Sequence, residues 1–321
     1  MFKRSFLYGF ALALLMVFFV KGVPDRITDH AVYDEFRKYY KIFALPLPDT
    51  LDFAGEPVPM DRPEVRERLD KELLINVYWQ SSGLLKIKRA AKYFPVFEPY
   101  LKQYGIPEDF KYLAVAESNL EHVKSPAGAA GIWQLMKQPA RSYGLIVNNQ
   151  IDQRYDVELA TEAACRYLKD AYERFGSWTL AAAAYNRGMQ GLQKAIDDQE
   201  ERDYYRLYLN PETARYVYRI LAAKMILENP RQYGFYVREK DKYRLPPMHK
   251  IMVDSTVHSW PRFARRFGLS YGQLRYYNPF IRDYEWDNEA GDTIYINIPA
   301  EEKTTLIEPG LEIGPLPVQV Q

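Results

Sequence analysis

From about Pro63 to Tyr236 the chain keeps apolar residues at helical spacing almost without interruption, and no other feature narrows the fold as much. The pattern is punctuated at Pro95, Pro107, Pro126, Gly144, Gly176 and Pro211, each read as a helix boundary. An all-α domain over residues 86–236 follows. Beyond Pro246 the texture changes to a strand-like His249 to Val253, helical pieces around Trp260 to Phe267 and Tyr271 to Tyr277, and a strand from Thr293 to Ile298. Residues 247–300 therefore read as a small β-α-α-β unit, and the fold class as mainly α with this unit appended. Upstream, a short amphipathic segment from about Ile27 to Tyr40 precedes Pro46, Pro48, Pro57, Pro59 and Pro63, which exclude a continuous helix. Residues 23–85 read as an extension with a proline-rich, extended connector. Residues 301–321, with Pro309, Pro315 and Pro317, read as a loose tail.

At the N-terminus, Lys3 and Arg4 precede an uncharged run from Ser5 to Val20 that Lys21 closes. At about 1.5 Å per residue the run falls short of a bilayer core of about 30 Å, so residues 1–22 are expected to be an export signal, with an uncleaved N-terminal anchor as the alternative. No cysteine follows the run, which excludes lipid attachment there. The expected location is the periplasm or cell envelope, with membrane association through this segment if it is retained.

Charge and cysteine usage narrow the chemistry. Lys plus Arg number 43 against 42 Asp plus Glu, so there is no basic field to hold a nucleic acid, and none is expected as a partner. The single cysteine, Cys165, lies in an alanine-rich helical stretch and reads as a small buried thiol. His30, His122, His249 and His258 are scattered and form no ligand pattern, so no metal or other cofactor is expected. Tyrosine, at 27 residues, suits either core packing or stacking on sugar faces.

Four segments carry candidate chemistry. Pro107, Glu108 and Asp109 suit a helix start, and Phe110, Leu113, Ala114, Glu117 and Leu120 then share a face. A carboxyl on such an apolar stripe loses solvation, which raises its pKa and keeps the proton a general acid needs. A buried Glu paired with a Lys or Arg, or one freed to solvent at the helix end, fits the same periodicity. The segment Ser125 to Met136 is rich in Gly and Ala and then bulky. It suits either a groove, with Trp133 and Met136 as walls and the Gln134 amide facing a ligand, or a tight helix crossing. Ala181 to Ala184 lead into Tyr185-Asn186-Arg187-Gly188, where Asn186 offers both donor and acceptor to an N-acetyl group or caps a turn. Asn210-Pro211-Glu212-Thr213 starts a helix with Tyr216 one turn in, its hydroxyl available to a buried carboxylate.

In this order, Glu117-Ser118, GIWQLM at Gly131 to Met136, AYNRG at Ala184 to Gly188 and ETARYV at Glu212 to Val217 resemble the catalytic domain of family 1 (soluble-type) lytic transglycosylases, most of all the membrane-bound lytic transglycosylase D type. The C-terminal unit resembles a LysM module through Arg266 to Ser270, Gln273-Leu274, Asn278-Pro279 and Gly291 to Pro299. It departs where the family's Gly-Asp-Thr-Leu turn is replaced by Asp254-Ser255-Thr256-Val257. The resemblance implies a lysozyme-like (goose-type/transglycosylase) helical domain that cleaves the β-1,4 bond between N-acetylmuramic acid and N-acetylglucosamine in peptidoglycan glycan strands. It implies that Glu117 is the catalytic acid and then base, that Ser118, Gln134, Met136, Tyr185 and Asn186 contact substrate, and that Tyr216 bonds Glu117. It also implies that the LysM-like unit holds glycan, or else only packs on the catalytic domain.

The implied chemistry needs one acid. If the muramyl C6 hydroxyl attacks C1 after acetamido assistance, the nucleophile is intramolecular, the product ends in a 1,6-anhydro ring and no water is consumed. A hydrolase needs a second carboxylate. Glu121 reads as solvated, and Asp152, Asp156 and Glu158 as a surface or structural network with Arg154. A lysozyme-type hydrolase and a non-catalytic peptidoglycan-binding scaffold are the alternatives.

Overall fold

The computed structural model describes residues 42–300, with His30 and Asp34 besides. The chain divides into Met1–Ala44 and Leu45–Gln321, and only the second unit is described below. The expected signal or anchor at 1–22, nearly all of the segment from Ile27 to Tyr40 and the tail at 301–321 lie outside the described residues. Among those described, no helix is long and apolar enough to cross a membrane.

The proline-rich stretch contains more than a connector. Leu51–Phe53 (β1) and Glu56–Val58 (β2) pair antiparallel around Ala54 and Gly55, both at positive φ, as a tight hairpin turn requires. Phe53 and Val58 are buried in the main core. Glu56 then spans the chain to accept hydrogen bonds from Ser177 Oγ, the Trp178 and Thr179 amides and Thr179 Oγ1, neutralising the free N–H groups of a helix start.

The helices follow in order: α1 (Pro63–Tyr78), α2 (Gln80–Tyr104), α3 (Lys111–Ser118), α4 (Lys137–Ser142), α5 (Val157–Phe175), α6 (Trp178–Arg187), α7 (Met189–Gln199) and α8 (Pro211–Glu228). The boundary expected at Pro95 is wrong, because α2 runs through both Pro95 and Pro99 and also crosses position 86 unbroken. The two prolines lie a turn apart on the exposed side, while Tyr93, Phe97 and Leu101 are buried on the other. Tertiary burial of that face outweighs the roughly 3 kcal/mol a proline costs inside a helix. Gly176 and Pro211 do mark helix boundaries, and Asn210 caps α8 by accepting from the Thr213 amide at 2.8 Å. Helix α8 is central, packed against α1, α3 and α6.

The C-terminal unit has the expected β-α-α-β order: β3 (Met248–Val253), α9 (Trp260–Arg265), α10 (Tyr271–Tyr277) and β4 (Ile294–Pro299), with β3 antiparallel to β4. Its core of Trp260, Leu274, Phe280, Trp286 and Ile296 extends without a break into Ala130, Ile151 and Tyr155 of the helical region. Ile151 and Ile281 form a bridge, the Asp152 amide donates to Phe280 O at 2.9 Å, and the Arg282 amide donates to Gln150 O at 2.8 Å. The Arg282 guanidinium lies 4.3 Å from the centre of the Tyr155 ring. The unusual turn at Asp254 to Val257 is tied to the loop before β4, through a Val257–Trp286 bridge and Asn288 Nδ2 donating to Asp254 O.

Candidate active site

The 3-10 turn Glu108–Phe110 leads into α3, which carries Glu117 in its last turn. The helix ends at Ser118, and Asn119 and Leu120 both turn into the left-handed region, at φ 53° and 59°. Leu120 therefore reaches the core by this turn and not by helical register as the apolar stripe implied. A left-handed leucine is a strained arrangement, held here by complete burial of the side chain.

Glu117 is half-buried, and its carboxyl is packed among α3, α6 and α8. Desolvation pushes its pKa up to about 7, against the opposing effects of the Tyr216 hydroxyl and the Arg219 charge, while the Glu212 charge adds a small increase. Tyr216, wholly buried on α8, donates a short hydrogen bond to Glu117 Oε1. One turn on, Arg219 donates to the carbonyl of Ala116, fixing α8 to the backbone beside the acid. A carboxyl so placed meets neutral pH with a large protonated fraction, as general acid chemistry requires.

The other candidates divide into two groups. Ser118 Oγ donates to Ile132 O at 2.7 Å and Tyr185 hydroxyl donates to Trp133 O at 2.7 Å, so α3 and α6 together grip the backbone of residues 132–133. Tyr185 is also near enough to Glu117 for burial and that charge together to hold its phenol well above the ordinary range. Asn186 accepts from Thr213 Oγ1 at 2.8 Å and donates to Glu212 Oε1 at 3.3 Å, joining α6 to the start of α8. Gln134 is at φ 49° and turns its amide back on its own loop, donating to Gly131 O and Val123 O. Met136 is 45% exposed and open to a ligand. Trp133, a wall in the groove reading of this segment, is a core residue: it is fully buried, with Nε1 donating to Thr161 Oγ1.

The small-residue segment serves a close backbone approach. A Cβ on Gly131, which has φ 81°, would fall 1.8 Å from the carbonyl oxygen of Arg154. Arg154 itself pairs with Asp152 and donates to Gly128 O and Leu135 O, so of the two readings of the charged stretch these two residues follow the structural one. Glu121 pairs with Arg89 at 2.6 Å on the exposed side. Cys165 is buried, its thiol pushed up to about 12. Arg219 was not singled out in the sequence, although its position three residues after Tyr216 puts it on the same face of α8.

Comparison with known proteins gives two domain matches. Residues 95–208 match the transglycosylase SLT domain, and residues 249–302 match the soluble lytic transglycosylase C-terminal LysM-like domain. The membrane-bound lytic murein transglycosylase D of Escherichia coli strain K12 is 31% identical over 243 residues, covering 73% of this chain and 52% of the relative. The protein of the same name from Escherichia coli O6:H1 strain CFT073 matches to the same extent. The chain thus spans about half the length of the curated relatives it matches. It carries, in this order, a segment that matches the transglycosylase SLT domain and one that matches the soluble lytic transglycosylase C-terminal LysM-like domain.

Proposed function

We propose that the chain is a peptidoglycan lytic transglycosylase of the cell envelope. In this reading Glu117 protonates the leaving O4 as the C1–O4 bond of N-acetylmuramic acid breaks. The carboxylate then takes the proton of the C6 hydroxyl as that oxygen closes onto C1. One proton is lent and returned, and the products are a 4-hydroxyl end and a 1,6-anhydro end. The observation that carries the reading is the Glu117 carboxyl itself, desolvated, held by the Tyr216 hydroxyl and raised to about 7. A binding scaffold gains nothing from a desolvated acid, which disfavours the non-catalytic alternative. Tyr185, Asn186, Gln134, Ser118 and Met136 shape the substrate cleft, Ser118 by fixing the backbone of Ile132. Export through residues 1–22, retention there as an anchor and glycan holding by the LysM-like unit belong to the same proposal.

One observation keeps the hydrolase in view. Glu212 is exposed, bonded to Asn186, and close enough to act on Glu117 by charge, so it is a second carboxylate at the site. Digestion of purified sacculi followed by mass measurement separates the two reactions, because anhydro ends are lighter than reducing ends by one water. Glu117→Gln is expected to bind sacculi normally and to release muropeptides at least about 100-fold more slowly. Full release by that variant, or products with reducing ends alone, would sink the assignment.

A further inference from the structure

We infer that Glu72 is a positioning residue for the Glu117–Tyr216 pair, acting through Arg215. The inference rests on the functional reading of Glu117 above. Glu72 lies on α1, is only 2% exposed, and accepts a two-pronged hydrogen bond from Arg215, from Nε to Oε1 and from Nη2 to Oε2 at 3.2 Å. At that burial water does little to solvate the carboxylate, so its charge is balanced by this guanidinium. Arg215 immediately precedes Tyr216, and both lie outside the matched segment 95–208, as does Glu72.

The helical wheel explains why the clasp matters. At 100° per residue, Arg215 lies to one side of Tyr216 and Thr213 to the other, within one broad face of α8. Thr213 is held by Asn186 of α6, and Arg215 is held by Glu72 of α1. Arg219, between them in angle, is held by the Ala116 carbonyl of α3. Rotation of α8 about its own axis, which would swing the Tyr216 hydroxyl off Glu117, is thus resisted from both flanks. The α1 anchor is itself braced, since Asn76 Nδ2 donates to Glu72 O at 2.8 Å and Asn76 Oδ1 accepts from Lys86 of α2. Tyr185, Arg219 and Glu212 are the other charged or titratable groups acting on Glu117, and Glu72 is not among them. Its effect must therefore pass through the placement of Tyr216.

The test is a double-mutant cycle on full-length protein, reading cleavage of soluble glycan strands as a function of pH. Because the Tyr216 hydrogen bond lowers the Glu117 pKa, Tyr216→Phe should move the alkaline limb of the rate profile upward. Glu72→Gln should move the limb in the same direction and lower kcat about tenfold with KM unchanged. The double variant should be no slower than Tyr216→Phe alone. An unmoved limb with normal kcat, or losses that multiply in the double variant, would overturn the inference. Should Glu72→Gln fail to fold, Arg215→Lys replaces it, since it keeps a cation beside Glu72 but cannot make the two-pronged bond, and the same outcomes apply. Glu117→Gln in the same assay separates the two levels. Activity in that variant removes the functional reading, whereas an inactive Glu117→Gln beside a normal Glu72→Gln removes only the role of Glu72.

Discussion

Glu117 and Asp152 are both carboxyls enclosed by the matched SLT segment, and the protein treats them in opposite ways. Asp152 receives a guanidinium fork, with Arg154 Nε and Nη2 at 2.9 and 2.7 Å, and both side chains are nearly inaccessible. Glu117 receives a neutral phenol, and its nearest cation, Arg219, is spent on a carbonyl. A full counter-charge in a two-pronged bond fixes a carboxylate in place and makes it a strut. A hydroxyl donor leaves the group able to hold or release a proton near neutrality. The partner, more than the degree of enclosure, decides which carboxyl is scaffolding and which is fit for chemistry.

Breaking the strut should give the largest stability effect. Arg154→Ala strands the Asp152 charge and frees the carbonyls of Gly128 and Leu135, so a loss of about 3–5 kcal/mol is expected from denaturant unfolding. A loss below about 1 kcal/mol would show that the pair is better solvated than its burial implies. Sacculus binding should fall with it, because Gly131 lies against the Arg154 carbonyl and the whole loop is set by that contact.

Glu117 should behave in the reverse sense. Its folded pKa of about 7 lies above the ordinary value of 4.5, so the native state binds the proton more tightly than the unfolded chain. Stability from this group is full below pH 4.5, is lost as pH rises through the interval to 7, and stays lost above it. Glu117→Gln carries no such dependence. The variant should match wild type in acid and exceed it at pH 8 by on the order of 3 kcal/mol, seen as a higher urea midpoint with unchanged m. Equal stability at both pH values would mean that water reaches the carboxyl freely.

Much of the architecture was legible because it rests on local rules. The 3.6 period predicted the helical region, Asn210-Pro211 marked the start of α8, and the change of texture after Pro246 predicted the β-α-α-β unit. Where burial overrules local preference, the sequence misleads. Pro95 reads as a break, yet the buried face of α2 carries the helix through it. The hairpin around Ala54 and Gly55 has strands of three residues, too short for alternation to register. Within the site, Glu117 was visible as a carboxyl on an apolar stripe and Tyr216 as a hydroxyl one turn into a helix. Trp133 was left open because a small-residue run before a large ring looks the same whether the ring faces ligand or core. Glu72 and Arg215, 143 positions apart, carry no local signal, since an acid on one helix and a base on another meet only through packing.

The smallest expected effect bears on how the LysM-like unit is held. Lys250 of β3 bridges to Glu158 at the start of α5 at 2.6 Å, but the two side chains are 49% and 35% exposed. Exposed ion pairs contribute about 0–1 kcal/mol, because solvent screens them and long side chains lose freedom in forming them. Beneath this bridge the seam is apolar, with Ile281 and Phe280 wholly or almost wholly buried in one cluster with Ile151 and Tyr155. Lys250→Ala should therefore lower stability by no more than about 1 kcal/mol and leave unfolding a single transition, followed by the indole NMR resonances of Trp260 and Trp286 together with far-ultraviolet circular dichroism. If instead the tryptophans report separately and early, the bridge and not the apolar seam joins the LysM-like unit to the helical region. The unit would then be a tether that can detach from the helices, rather than a fixed part of the same body.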